Sequence, residues 1–331
     1  MLGLTIFALA LAAGGASAGA APREPTPLRG APLQQSGLRL LVAENPPFVL
    51  DVDSGRIERL PIPAVPGVIS VAGVAGTSAV VVADAGANAR LYSVRGRAAR
   101  ITSLGVGERL APAGDGRSVW IKRRDGTRCT LRQAALDGRT LIAARPFACA
   151  TTLYPGGSLG LVVNRTRVID PRTGRVVRRT RWGILAAAGK HLVLAGPGNR
   201  LALLDASAGT ERQLRWPSIL PWLDHPAADP RGRFVALSFA APAWTGGRQV
   251  TDVWLLDVRS GTLTQLPSMP AFVALKRTSL AWTDDGRLVL LGESSGRGVV
   301  AVWRPGGEAP AVKTLRLPER SGGSDSFAPL G

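Results

Sequence analysis

A chain of 331 residues with 41 Lys and Arg against 23 Asp and Glu, and a formal net charge of +18, is long enough to bury a large core without a metal or a dense disulfide framework. At 45% hydrophobic, with 40 Gly and 25 Pro, it has the composition of a globular protein made of many short strands and tight turns. The charge does not point to specific nucleic-acid binding. The only lysines are Lys122, Lys190, Lys276 and Lys313, and the arginines are scattered, densest at Lys122-Arg123-Arg124 and Arg178-Arg179-Thr180-Arg181. A phosphate backbone calls for a contiguous basic stripe with interleaved aromatics.

The apolar run from Leu2 to Ala13, followed by Gly-Gly-Ala-Ser-Ala ending at Ala18, reads as the core and cleavage site of a secretory signal peptide over residues 1–21, although no Lys or Arg precedes it. Gly14, Gly15 and Gly19 interrupt it, and its firmly apolar part is shorter than the ~20 residues that span a bilayer. Membrane contact is therefore expected only through an uncleaved signal segment, and the mature chain is expected to be secreted or otherwise extracytoplasmic. Residues 22–37, with Pro22, Pro25, Pro27 and Pro32, read as a flexible leader, and residues 38–331 as one domain.

In an exported chain the two cysteines, Cys129 and Cys149, are expected to form a disulfide, since they flank the turn sequence Leu136-Asp137-Gly138-Arg139. A metal site would need further Cys or His at ligand spacing, and the sequence offers none. No cofactor is expected.

From the leader onward one unit recurs: a β-run, often ending in Asp, then a small turn with a Gly, then a second β-run. Leu50-Asp51-Val52-Asp53-Ser54-Gly55 is the first copy. Val168-Ile169-Asp170-Pro171-Arg172-Thr173-Gly174 and Leu203-Leu204-Asp205-Ala206-Ser207-Ala208-Gly209 follow. The clearest is Val253-Trp254-Leu255-Leu256-Asp257-Val258-Arg259-Ser260-Gly261. With weaker copies, the turn glycines fall at 55, 96, 138, 174, 209, 261 and 307, spaced by 35 to 52 residues. Four-stranded propeller blades repeat at roughly this period.

A second signature precedes some copies. Asp229-Pro230-Arg231-Gly232-Arg233, Thr283-Asp284-Asp285-Gly286-Arg287 and Ala113-Gly114-Asp115-Gly116-Arg117 each lead into an apolar strand. They read as two-residue type I′ turns between the first and second strands of a blade, with the Asp-x-x-Ser/Thr-Gly turns joining the third and fourth.

These residues resemble the WD-like repeats of TolB-type propeller proteins, whose blades carry a Ser/Thr-Pro-Asp-Gly-Arg/Lys turn and a Leu-Tyr-x-x-Asp-x-x-Thr-Gly strand. The resemblance covers most of residues 38 to 318 and is strongest in the last two repeats; the chain is similar too to secreted propeller proteins of high-GC bacteria. It implies an all-β fold: a single β-propeller, seven four-stranded blades, with its ring closed by pairing of the N- and C-terminal segments. The first repeat shows only three runs, Leu38 to Ala43, Phe48 to Val52 and Arg56 to Leu60, so the tail Gly323 to Ala328 is expected to supply the missing inner strand. A TolB-like role in envelope translocation or sensing would also follow, but the separate amino-terminal domain of that family is absent from these residues.

Catalytic signals are few. The chain has two histidines, His191 and His225, and His191 lies in the strand-like Lys190-His191-Leu192-Val193-Leu194. No Gly-x-Ser-x-Gly elbow or phosphate loop occurs, and the segment ending Val119-Trp120 departs from a sialidase-type Asp box because Asp115 directly precedes Gly116. Recurrent turn aspartates such as Asp205 and Asp257 are expected to bond their own turns. The candidate ligand-binding residues are Trp182, Trp216, Trp222, His225, Trp244 and Arg248, which the blade topology would gather on the rim formed by the second-to-third and fourth-to-first connections. Exposed tryptophans beside a few polar groups suit a carbohydrate or peptide; packing of the same rings between blades is the competing reading. The expected function is a monomeric, non-catalytic binding or scaffold propeller for a protein or a cell-envelope polymer. The alternatives are a glycan lyase or hydrolase with paired carboxylates in the channel, and the TolB-like envelope role.

Overall fold

The computed structural model describes residues 25–83, 89–223, 226–241, 250–294, 297–318 and 326–331. Among them the chain is all β apart from one 3-10 turn at Gly157–Leu159, and its strands pair into seven sheets with the architecture of a β-propeller. The sheets are numbered here in chain order.

In sheet 1, Arg39–Val42, Phe48–Asp51 and Ile57–Arg59 form an antiparallel ladder. Phe327–Pro329 from the carboxyl end adds the inner strand, pairing Leu40 with Pro329 and Val42 with Phe327. The tail does supply a strand to the first repeat. Sheet 2 runs Ile69–Val74, Ser78–Ala83, Ala89–Arg95 and Arg100–Gly107. Sheet 3 runs Arg109–Pro112, Ser118–Asp125, Arg128–Ala135 and Thr140–Pro146. Sheet 4 comprises Leu153–Pro155, Leu161–Val163, Arg167–Ile169 and Val176–Arg179. Sheet 5 comprises Gly183–Ala188, His191–Gly196, Arg200–Asp205 and Glu211–Leu214. The inner strand of sheet 6 comes in two pieces, Trp222–Leu223 and Ala227–Ala228, followed by Phe234–Ala240, Val250–Asp257 and Thr262–Gln265. Sheet 7 is Ala274–Trp282, Leu288–Ser294, Arg297–Trp303 and Ala311–Leu315.

The inner strands meet in a circle. Phe327–Pro329 touches Ile69–Val74 on one side and Ala274–Trp282 on the other, and each remaining inner strand touches its neighbour, with the 3-10 turn bridging sheets 4 and 5. Side chains alternate along each strand, so each sheet presents an apolar layer to both neighbours. Leu41 and Val49 pack toward sheet 2, whereas Leu40 and Leu50 pack toward sheet 7. An apolar cluster fills every junction, from the layer between sheets 2 and 3, holding Val80, Leu91 and Ile121, to the layer between sheets 6 and 7, holding Leu290 and Trp303.

The turn aspartates bond their own turns. Asp51 accepts from the Ser54 amide (2.9 Å) and hydroxyl (2.7 Å), Asp170 from the Arg172 amide, and Asp205 from the amides of Ser207 and Ala208. The glycines at 55, 96, 138, 174, 209 and 261 all take positive φ in third-to-fourth turns. In the seventh turn that role falls to Gly306 (φ 83°) rather than Gly307, because the turn closes one residue earlier, with the Gly307 amide bonded to the Arg304 carbonyl. The three signature first-to-second turns, over residues 113–117, 229–233 and 283–287, are likewise longer than two-residue type I′ turns. The Gly116 amide donates to the Ala113 carbonyl and the Gly232 amide to that of Asp229, and the glycines, not the Asp115 and Arg231 before them, are at positive φ. That is a type I turn closed by a left-handed glycine, a geometry that leaves Asp115 free to accept from the Arg117 and Ser118 amides.

Many of the arginines are structural. In four places a cation on the outer strand of one sheet donates to a third-to-fourth turn carbonyl of the next. Arg145 reaches Pro171, Arg178 reaches Ala206 (2.9 Å), Arg212 reaches Ser260, and Lys313 reaches Asp53. Lys122, in the densest basic cluster of the sequence, is buried: its Nζ donates to the carbonyls of Cys149 and Thr151 and lies 3.4 Å from Glu108. It thereby holds down the segment that Cys149 pins to Cys129 through a disulfide.

The leader, expected to be flexible, is paired where it is described. Thr26–Pro27 runs parallel to Ala271–Phe272, and Ala31–Pro32 runs parallel to Ala311 and Val312. Pro32 stands between the Ala31 and Leu33 amides, which donate to Pro310 and Val312, while Leu28 enters the apolar layer between sheets 6 and 7.

Candidate functional site

Three surfaces of the ring can meet a ligand: the channel, the loop rim and the turn rim. The inner strands lining the channel contain no Asp or Glu among the described residues. They read Phe-Ala-Pro, Ile-Ser-Val-Ala-Gly-Val, Arg-Leu-Ala-Pro, Leu-Tyr-Pro, Gly-Ile-Leu-Ala-Ala-Ala, Trp-Leu with Ala-Ala, and Ala-Leu-Lys-Arg-Thr-Ser-Leu-Ala-Trp. Small and apolar residues dominate these sequences, with Arg109, Tyr154, Lys276 and Arg277 as the large polar exceptions. The Arg165 guanidinium lies 4.8 Å from the Tyr154 ring centroid, and its hydrogen bond holds the phenol below the usual tyrosine range.

On the loop rim the predicted tryptophans have different surroundings. Trp216, in the connection from sheet 5 to sheet 6, turns inward, edge-on to Phe239 with centroids 4.9 Å apart, and donates from Nε1 to the Leu220 carbonyl. Trp182 is half-buried, faces Gly196, and carries the Arg181 guanidinium 4.6 Å above its ring. Trp222 alone of these three is exposed, at 55%. His225, Trp244 and Arg248 lie outside the described residues. The connection bearing Trp216 is fixed by a buried carboxylate that sequence reasoning missed. Asp252 accepts from Ser218 Oγ (2.6 Å), Trp254 Nε1 (2.8 Å) and Gln265 Nε2 (2.9 Å). Nothing local marks Asp252, since its three donors come from three different elements.

The turn rim, opposite the predicted tryptophans, holds a cleft of about 510 Å³ between sheets 6 and 7. Four guanidinium groups line it, those of Arg231, Arg233, Arg259 and Arg304, together with the carboxylates of Asp229 and Asp285. Arg231 and Arg233 belong to the first-to-second turn of sheet 6 and Arg259 to its third-to-fourth turn; Arg304 begins the corresponding turn of sheet 7. Both carboxylates are engaged. Asp229 accepts the Arg231 amide at 3.0 Å, and Asp285 is bound by the Thr283 hydroxyl and by Arg287 Nε at 2.8 Å. Burial pushes Asp285 up, but the Thr283 hydrogen bond and the Arg287 and Arg304 cations outweigh it and hold the group below the usual carboxylate range. The Gly-Arg pairs of the turn signature could have flagged Arg233 but not its neighbours across the sheet boundary. No group of three or more His, Cys, Asp or Glu able to hold a metal occurs among the described residues.

No protein-family model matches the chain, and no curated protein matches it. Among solved structures it is similar to the periplasmic gluconolactonase PpgL of Pseudomonas aeruginosa, with 15% identity, 89% of this chain and 99% of that one covered, and a TM-score of 0.55. A functionally unknown protein from Desulfotomaculum acetoxidans DSM 771 matches at 14% identity over 89% and 99%, with a TM-score of 0.53. TolB of Acinetobacter baumannii matches at 13% identity over 91% and 68%, with a TM-score of 0.49. At these identities the likeness concerns the fold.

Proposed function

We propose that this chain is an extracytoplasmic binding or scaffold propeller of seven blades that holds a protein or a cell-envelope polymer without catalysis. The blade count rests on the seven sheets and the apolar layer at each junction. The observation that carries the function is the lining of the channel. A glycan lyase or hydrolase needs carboxylates poised across a bound sugar, whereas the inner strands offer small, apolar and cationic residues. The two carboxylates of the turn-rim cleft are tied to their own turns, and Asp285 is biased toward the ionised state, which suits neither a general acid nor a free nucleophile. The Cys129–Cys149 disulfide supports an oxidising compartment, as does the periplasmic setting in the name of PpgL. Contacts would use the loop rim, where Trp222 offers an exposed aromatic face, and the channel mouth.

The test is retention. The mature protein, immobilised and challenged with cell-wall material and envelope extract, should retain a component in unaltered form. Release of shortened glycan or new reducing ends would show an enzyme instead.

A further inference from the structure

The cleft on the turn rim lies at the one junction beside a complete outer strand that carries no cation at all. Sheets 3, 4, 5 and 7 each lend an Arg or Lys from the outer strand to a turn carbonyl of the following sheet. The outer strand of sheet 6 reads Thr-Leu-Thr-Gln, so nothing of that kind draws the Arg304 turn of sheet 7 against sheet 6. The gap stays open, and its walls are arginines.

These arginines are not equivalent. Arg233 is spoken for: Nε and Nη2 both reach Asp257 Oδ2 at 3.1 Å, and the guanidinium lies 4.7 Å from the Phe234 ring centroid. Phe234 is in turn stacked on Trp282 at 6.3 Å, giving the cleft a rigid aromatic floor. Arg231 folds over Gly286, whose φ of 81° and lack of a Cβ leave room for a guanidinium nitrogen 3.1 Å from where that atom would stand. Arg231, Arg259 and Arg304 are exposed and make no ion pair of 4 Å or less among the described residues. Three guanidinium forks on three separate turns face one concavity; Asp285 attracts Arg304 but is itself bonded by Thr283 and Arg287, so positive charge remains in excess there. A single oxyanion satisfies one fork; an anion with several charged groups satisfies all three.

We infer that this cleft is a binding site for a multivalent oxyanion, a ligand bearing at least two phosphate groups, gripped by Arg231, Arg259 and Arg304. The inference stands apart from the binding-protein reading, since an enzyme would need the same recognition. A free polyphosphate and a phosphodiester polymer present the same chemistry to the forks.

The experiment is calorimetric titration of the mature protein with inorganic phosphate, tripolyphosphate and poly(glycerol phosphate) at low and at physiological salt. Tripolyphosphate or the polymer should bind at least tenfold more tightly than phosphate. The double variant Arg259→Ala with Arg304→Ala should weaken that binding at least tenfold. Both side chains are exposed, and the attraction lost is that of Arg304 for the solvent-screened Asp285, so the variant should melt close to the parent. A control removes the same charge from an equivalent exposed turn in sheet 4, Arg172→Ala with Arg175→Ala, and should change affinity less than twofold. Tighter binding of the polymer assigns the source as a chain and tighter binding of tripolyphosphate a free anion; both agree with the site. Absence of binding by either multivalent probe overturns it. So does an equal loss in the control pair, which would mean attraction to the net charge of +18 alone.

Discussion

Arg178, on the outer strand of sheet 4, donates from Nη2 to the carbonyl of Ala206 in a turn of sheet 5, 2.9 Å away. This contact crosses a sheet boundary at the periphery, where the apolar layer has thinned out, and it recurs at three other junctions. Arg178→Met keeps the aliphatic stem and removes the fork, so it should cost about 1–2 kcal/mol in urea denaturation, the range for a partly exposed charge-assisted bond. Gly209→Ala should cost a similar amount: its φ is 74°, and the new methyl would stand 3.1 Å from the same guanidinium. Arg172→Met, on an exposed turn without such a contact, should be silent.

The inner strand of sheet 1 comes from the far end of the chain. Phe327 and Ala328 are buried, and Leu330 just beyond them is 1% exposed. Phe327→Ala should lower stability by about 3–5 kcal/mol, and removal of residues 325–331 should cost more and lower the melting temperature by many degrees. An unchanged melt in the truncated protein would show that the ring does not depend on this strand.

Reduction or removal of the disulfide should cost about 3 kcal/mol in the chain-entropy account, for a bridge spanning 20 residues. The protein should remain folded, because Lys122 still binds the carbonyls of Cys149 and Thr151. Cys129→Ser with Cys149→Ser should therefore shift the denaturant midpoint without changing the far-ultraviolet spectrum. Adding Lys122→Met should then release the segment and make it sensitive to protease.

Asp205 provides an acid-side reading. The hydrogen bond from Lys190, at 2.7 Å, and those from the Ala208 and Ser207 amides lower its pKa to about 2 from an ordinary 3.8. A carboxylate whose folded value is depressed contributes stability that is complete above the unfolded value and lost as pH falls toward the folded one. Asp205→Asn should thus flatten the stability profile between about pH 4 and pH 2 while changing its slope little near pH 7.

The loop-rim tryptophans separate by burial. Trp216→Ala removes an edge-to-face partner of Phe239 and a hydrogen bond, and should destabilise by about 2–4 kcal/mol. Trp222→Ala should stay within about 0.5 kcal/mol of the parent, as exposed substitutions do. If Trp222→Ala nevertheless reduces retention of envelope material, the ring is a contact for the ligand.

The sheet architecture was legible because its signals are local. Each Asp-x-x-Ser/Thr-Gly turn carries its own hydrogen bonds and its own left-handed residue, so the sequence reports it whatever lies next to it. Counting runs exposed the missing strand near Arg39 for the same reason. The leader misled because prolines at 25, 27 and 32 resemble a linker, yet alternate proline is compatible with parallel pairing along a sheet edge. The cationic cleft was illegible: Arg231, Arg259 and Arg304 become neighbours only through the stacking of two sheets, and the opening depends on cations that the outer strand of sheet 6 lacks. Asp252 escaped notice similarly, its donors lying 34, 2 and 13 residues away.

Leu40 stands opposite Pro329, and beside them the Leu330 amide donates to the Arg39 carbonyl, so the sheet translated first waits for its axial strand until the other six have been made. A ribosome that stops before Phe327 releases six finished sheets and a seventh with a raw edge. Such a product should self-associate and be degraded, making synthesis through Pro329 the checkpoint for a closed molecule.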